Sequence, residues 1–245
     1  GIVGCVSFAY NVFGDGSVSD SELSNHRITD FENLTIEMGA ADVEIISGEK
    51  FSLKSNHDKL KVKESDGRLI LSDDNSSWNF GAEKYRVVLT IPKNTTLEST
   101  TINSGAGKLV IKDFNTKKLD LSVGAGVAEL NKVKVTQKTE FEGGAGEINV
   151  TDSFFASPQL EIGVGECNFT AEISGNGSVD CGVGEANLSL ITADDNDYTV
   201  NVSKGIGDVT VNGKSVSDDE KVGNGKNKLD VDCGVGEVDI RFVKK

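Results

Sequence analysis

Apolar side chains occupy every second position in short runs along this chain, and the runs are separated by a recurring Gly-x-Gly. Counted from the first glycine of each motif, position −3 reads Ile102, Leu121, Phe141, Leu160, Val179, Val202 and Val231. Position +4 reads Leu109, Ala128, Ile148, Cys167, Ala186, Val209 and Val238, and +6 reads Ile111, Leu130, Val150, Phe169, Leu188, Val211 and Ile240. Period-two alternation on both sides of the motif predicts two short strands, each with one buried face. The motifs themselves are Gly105-Ala106-Gly107, Gly124-Ala125-Gly126, Gly144-Ala145-Gly146, Gly163-Val164-Gly165, Gly182-Val183-Gly184, Gly205-Ile206-Gly207 and Gly234-Val235-Gly236, with a degenerate copy at Gly39-Ala40-Ala41. Their first glycines, from Gly105 on, follow one another at 19, 20, 19, 19, 23 and 29 residues.

A period of this length predicts stacked supersecondary units. One coil of two or three short strands cannot bury its apolar row alone, whereas coils stacked about 4.8 Å apart close a continuous core. The expected fold is all-β: a single-domain β-solenoid resembling a parallel β-helix, with Gly-x-Gly corners about every 19 residues. Its coil is expected to be right-handed, as crossovers between parallel strands nearly always are. An antiparallel sandwich also uses short strands and glycine turns, but it does not repeat one motif in register. The +1 residues (Ala106, Ala125, Ala145, Val164, Val183, Ile206 and Val235) continue the parity of −3 and −1. The sequence therefore places them inside and puts the corner at +2 and +3, where glycine accepts positive φ and close backbone approach.

Residues 1–20 form an apolar N-terminal segment and 21–245 the solenoid. Two irregular stretches interrupt the repeat. Residues 50–92 hold a hairpin turning at Asp66-Gly67, an exposed loop from Asp73 to Glu83 and a strand ending at Pro92, and residues 212–228 read as a polar loop. Across the whole chain, 39 acidic residues outnumber 25 basic ones for a net charge of −14. That balance excludes nucleic acid as a partner and opposes binding to anionic lipid, since both need Lys and Arg against phosphate.

Cys167, Cys181 and Cys233 stand at inward positions and read as small core hydrophobes. Cys5 lies in the stretch Ile2 to Phe13, which at about 13 residues is too short to span a bilayer. Three readings stand side by side: the end of a signal or membrane anchor, the end of a lipoprotein box with Cys5 as the lipidated residue, or a cap on the solenoid.

The hairpin at Asp66-Gly67, the strand Val87-Val88-Leu89-Thr90-Ile91-Pro92-Lys93, and then Ser104-Gly105-Ala106-Gly107 with repeated Gly-x-Gly resemble the DUF4097 family of bacterial envelope proteins. The resemblance covers roughly Ile28 to Val243. It implies an adhesin-type or envelope-stress module outside the cytoplasm, and it carries no catalytic motif.

Chemistry concentrates on the outward positions after the corner. Position +3 reads Glu147, Glu166, Glu185, Asp208 and Glu237, with Asp42 in the degenerate copy. Position +5 includes Asn149, Asn168 and Asn187. Stacked like charges cost about 0.2–1 kcal/mol per pair, so a compensator is expected. Three candidates are backbone N–H donors at the corner, solvation with salt screening, and Ca²⁺ held by several oxygens. The glycine-rich nonapeptide of calcium β-rolls is absent, and no other metal or cofactor motif is present. Stacked Asn amides also bond to one another along a column. A second candidate is the loop carrying Trp78 and Phe80, placed to stack on a sugar or insert into a partner, or to cover the sheet's edge.

His26 and His57 stand without triad or metal spacing, and the carboxylates have nothing evident to separate their pKa values, so no enzyme is expected. The resulting expectation is an extracytoplasmic, membrane-anchored binding module that displays its acidic and Asn face to a protein or glycan at the bacterial cell surface. It would touch the membrane only through an N-terminal anchor. The alternative is an envelope-sensing or scaffold module that binds the cell's own wall or membrane components.

Overall fold

The computed structural model describes residues 19–73, 84–194 and 197–245. All described strands join one hydrogen-bonded sheet, and most of the pairing between successive turns of chain is parallel. Lys108–Val123 lies in register on Val127–Gly143, which in turn lies on Glu147–Ala156 and Pro158–Ile162. Glu166–Ser174 and Gly177–Cys181 form the next turn, followed by Glu185–Thr192. The architecture is an open β-solenoid whose rungs are conveniently named by their corner glycine.

Stacking order departs from chain order at both ends. Asn33–Met38 and Asp42–Gly48, the degenerate first copy, sit between the Gly105 rung and the rung of Arg68–Ser72 and Arg86–Pro92. At the far end, Asn227–Cys233 and Glu237–Lys244 are inserted between the Gly182 rung and the Gly205 rung. The outermost rungs are thus made by internal segments, and their free edges take antiparallel partners. Ser52–Ser55 and Lys61–Ser65 cover one end, with Ser24–His26 on Ser52–Ser55. Lys214–Ser215 and Lys221–Val222 cover the other. Such caps stop an open strand edge from recruiting another chain. The hairpin at Asp66-Gly67 has φ of 50° and 70°, the left-handed pair that a two-residue turn requires. The stretch read from sequence as a polar loop contributes two of the capping strands and the buried Val216.

The Gly-x-Gly segments bend between strands, but the parity differs from expectation. Val123, Ile162, Cys181 and Cys233 at −1 are buried, yet Val164, Val183, Val235 and Ile206 at +1 are 55, 47, 55 and 85% exposed. The first glycine and the +1 residue form the outer side of the bend. The second glycine returns to the inside, so the shift of parity falls earlier than +2. The cause is the hydrogen-bond ladder, which runs through the bend without a break. Val164 N–H donates to Gly144 O at 2.8 Å and Glu166 N–H to Gly146 O at 3.1 Å, and the same pair recurs in successive rungs.

None of the corner glycines has a positive φ. What they supply is room: a Cβ on Gly165 would lie 2.0 Å from Gly146 O and one on Gly126 2.1 Å from Gly107 O. Positive φ is found instead at a second corner, where Asp113, Lys132 and Asp152 have φ of 50–55°. Inside, a continuous core runs the length of the stack and includes a Phe141, Phe155 and Phe169 cluster with centroids 5.3–6.3 Å apart.

Candidate functional site

Because strands pair in register, each outward position becomes a column. At +3, Glu147, Glu166, Glu185 and Glu237 are consecutive neighbours, and Asp208 follows Glu237 at the end of the stack. At +5, Asn149, Asn168 and Asn187 stack beside them, followed by Asp239 and Thr210. The order Glu185, Glu237, Asp208 is set by the inserted C-terminal rung, which exchanges the last two relative to the chain.

The compensator for the stacked carboxylates is a side-chain amide. Asn149, Asn168 and Asn187 each donate from Nδ2 to the glutamate two residues earlier on the same strand, at 2.6, 2.7 and 2.8 Å. Asn168 also donates to Asn149 Oδ1, and Asn187 to Asn168 Oδ1, both at 3.1 Å. Asn168 and Asn187 thus use both amide hydrogens, and the two columns lock into one lattice. Corner backbone N–H acts on Asp42, which accepts from Lys108 N–H at 2.9 Å. At the lattice's borders, cations take over: Lys108 pairs with Glu129, Arg86 with Glu44 and Arg241 with Asp239. Among the described residues no cluster of three or more His, Cys, Asp or Glu is arranged to hold a metal ion.

Replacing Asn168 with Ala is expected to cost about 1–2 kcal/mol through its lost hydrogen bonds. Asn168→Asp is expected to cost more, because it sets a third carboxylate beside Glu166 and between two rungs. Urea unfolding at low and high salt separates the terms, since only the excess cost of Asp shrinks as salt screens it.

A second acidic surface lies on the strand before the corner. Position −2 reads Ser122, Glu142, Glu161, Asp180 and Asp232 in stacking order, and −4 includes Asp120, Glu140 and Asp230. Two shallow depressions open here, one of about 420 Å³ lined by Asp120, Glu140, Glu142, Glu161 and Asp180. The other, of about 460 Å³, is lined by Asp180, Asp219, Glu220, Asp230 and Asp232 among others. Burial, then the charges of Glu140 and Glu142, raise the Asp120 carboxyl above its ordinary pKa. These columns are present in the sequence as Asp/Glu at −2 and Glu at +3 around one Gly-x-Gly, in Glu142 to Glu147, Glu161 to Glu166, Asp180 to Glu185 and Asp232 to Glu237. Attention to the +3 side alone misses the −2 half.

His57 is buried, stacked on Tyr85 at 4.0 Å, with Nε2 3.6 Å from Asp73 Oδ2. Its Nδ1 accepts Lys59 N–H, and Ser55 Oγ accepts the His57 backbone N–H. The ring therefore has no free nitrogen to activate Ser55, and the trio works as a structural knot. Asp73 completes it by accepting Gly39 N–H, which ties the first corner. Cys167, Cys181 and Cys233 are buried free thiols. Burial pushes Cys167 up to about 12 and Cys181 up to about 11, the opposite of an activated nucleophile. Trp78, Phe80 and Cys5 lie outside the described residues.

Several solved structures align with most of this chain. One, described as a putative adhesin from Bacteroides fragilis, aligns over 90% of this chain and 96% of its own with a TM-score of 0.58 at 15% identity. A putative adhesin from Parabacteroides distasonis aligns over 90% and 96% with a TM-score of 0.49 at 14% identity. A protein of the same organism described as a putative lipid binding protein aligns over 90% and 96%, with a TM-score of 0.36 at 15% identity. No curated protein matches. The Toastrack DUF4097 family model matches residues 30–214. With most of its length accounted for by that model and its rungs built as described, the chain belongs to the DUF4097 Toastrack family.

Proposed function

We propose that this chain is a binding module displayed outside the cytoplasm and tethered to the membrane through residues 1–20, with a protein or glycan at the cell surface as its ligand. The observation that carries the reading is the regular lattice of outward Glu and Asn side chains held in register over consecutive rungs. A surface repeated at about 4.8 Å suits many weak contacts along an extended ligand. The two depressions beside it, among the described residues, are open to solvent rather than closed against water. The adhesin names of structural relatives and the family go with a non-enzymatic role at the cell surface. We read the coil as right-handed with Gly-x-Gly corners.

The tether gives the stack a direction. Ser24–His26 lies at the end capped by Ser52–Ser55, so a membrane anchor just before it holds that end inward and presents the Gly205 rung outward.

The test is binding of labelled full chain to the producer's own envelope, to host glycans and to matrix proteins, with calcium and with chelator. Saturable binding to host material is the expected result, and its loss in chelator assigns a cation to the carboxylate lattice. Binding to self envelope alone replaces this reading with that of a sensor or scaffold, and no saturable binding to any surface overturns it.

A further inference from the structure

Among the described residues, the exposed large apolar side chains are Val164, Val183, Ile206, Val235 and Val243. Four of these share the +1 position of the corner. In stacking order the column reads Ala106, Ala125, Ala145, Val164, Val183, Val235 and Ile206, because Gly234 lies on Gly182 and Gly205 on Gly234. The side chains enlarge along the stack, and the most exposed stands on the last rung. Water contact at these positions is unfavourable by about 25 cal/mol per Å² of apolar surface, and corner geometry does not demand it, since Ala fills the same place in three rungs.

Two rows of carboxylates border this ridge. In the four rungs from Gly144 to Gly234, an acid stands at −2 (Glu142, Glu161, Asp180, Asp232) and another at +3 (Glu147, Glu166, Glu185, Glu237). In cross-section the Gly163, Gly182 and Gly234 rungs present acid, valine, acid, and the last rung presents Ser203, Ile206 and Asp208. We propose that this corner edge is a docking site for a basic amphipathic helix of a partner protein, its apolar stripe on the Val164–Val183–Val235–Ile206 ridge and Lys or Arg on both flanks against the two acidic rows. This proposal rests on the binding-module reading and names a partner for it.

Spacing favours a helix over a strand. The ridge repeats at about 4.8 Å and an α-helix returns its apolar face every 5.4 Å or so, a mismatch of roughly 0.6 Å per rung. A strand shows the same face only every 6.6 Å or so, and slips out of step within two rungs. Charge selects against the other occupants. A second copy would set carboxylate rows against carboxylate rows, and an anionic lipid surface is repelled by the same rows.

The probe is a synthetic helix of about 18 residues with a Leu stripe flanked by Lys on both sides. Controls are a scrambled peptide of identical composition and a helix with Glu in place of Lys. Full chain is titrated with each by calorimetry at low and moderate salt, alongside sedimentation of the chain alone. The expected result is saturable binding of the Lys-flanked helix only. Affinity should fall about tenfold or more in Val183→Ala/Val235→Ala/Ile206→Ala, and similarly in Glu161→Gln/Glu166→Gln/Asp180→Asn/Glu185→Gln. The alanine variant keeps its fold because Ala already occupies this column in neighbouring rungs. Equal binding of the scrambled peptide, or no loss in the alanine variant, overturns the site, since charge alone then explains the contact. Self-association of the chain that the alanine variant abolishes overturns it in favour of a second copy. Failure of the peptide while surface material still binds overturns this inference alone; failure of both overturns the binding reading as well.

Discussion

Gly165→Ala is expected to abolish the native fold or cost more than about 4 kcal/mol, in the exceptional range for one substitution. A Cβ at residue 165 meets Gly146 O at 2.0 Å and its carbonyl carbon at 3.1 Å. Both are backbone atoms of the preceding rung, so no rotamer change relieves the contact. The rungs could separate only by stretching the bonds that run through the bend, among them Glu166 N–H to Gly146 O. The first glycines of this rung and the next are less crowded. A Cβ at Gly163 meets Gly144 O at 2.9 Å, and one at Gly182 meets Gly163 O at 3.1 Å. Gly182→Ala is therefore expected to cost about 1–3 kcal/mol, as modest overpacking does. Urea unfolding of Gly165→Ala, Gly163→Ala and Gly182→Ala should rank them in that order of severity. Equal costs at Gly165 and Gly182 would show that rung spacing is soft enough to absorb a methyl group, and close approach would no longer explain the second glycine.

The second large effect concerns the chain's C-terminal rung. Ending the chain at Lys226 removes Asn227–Cys233 and Glu237–Lys244. In a stack that followed chain order, this would only shorten the solenoid and expose the rung before it. Here the removed strands lie between the Gly182 and Gly205 rungs. They carry Leu229, Val231, Cys233, Val238 and Ile240 into the core. Burial of each large apolar side chain is worth about 1.5–3 kcal/mol, together comparable with the roughly 5–15 kcal/mol that holds a whole domain. Residues 198–226 are expected to lose amide protection throughout, while rungs from Gly105 to Gly144 stay protected. Hydrogen exchange with mass-spectrometric readout tests this. If residues 198–211 remain protected, they have docked directly onto the Gly182 rung, and the inserted rung is dispensable.

Much of this architecture is legible in the alternation itself. The apolar columns at −3, +4 and +6 face the core as their period-two spacing predicts, since a pleated strand leaves no other face for them. Cys167, Cys181 and Cys233 follow the same parity and are buried with it. The Asn149, Asn168 and Asn187 column is equally readable, because any in-register stack brings these amides together. The +1 residues depart from the alternation for a specific reason. Parity extrapolates only where every residue is extended, and the first glycine of each motif breaks it. Past that point Val164 and Val183 turn outward, and valines that alternation assigns to the core are exposed. The role of glycine changes in the same way: backbone contact between rungs, not positive φ, is what the motif glycines provide for.

What the sequence determined by itself is the repeating unit: which side chains of its strands face in, which face out, and that rungs must stack to bury them. These follow from bonds and contacts within about twenty residues, which every copy repeats. Which rung lies beside which was decided only in three dimensions. Lys204 stands at −1, where Val123, Ile162, Cys181 and Cys233 are buried, a local hint that the Gly205 rung is the terminal one. The rest comes from competition among nearly equivalent rungs for neighbours. The strands from Ser52 to Ser65 and from Lys214 to Val222 can close an edge but cannot lie inside a parallel stack. Each holds its own rung at an end, so the chain's first and last repeats fill the places within. That exchange sets Glu237 between Glu185 and Asp208 and Val235 between Val183 and Ile206, and it makes a continuous acid-bordered ridge from residues far apart along the chain.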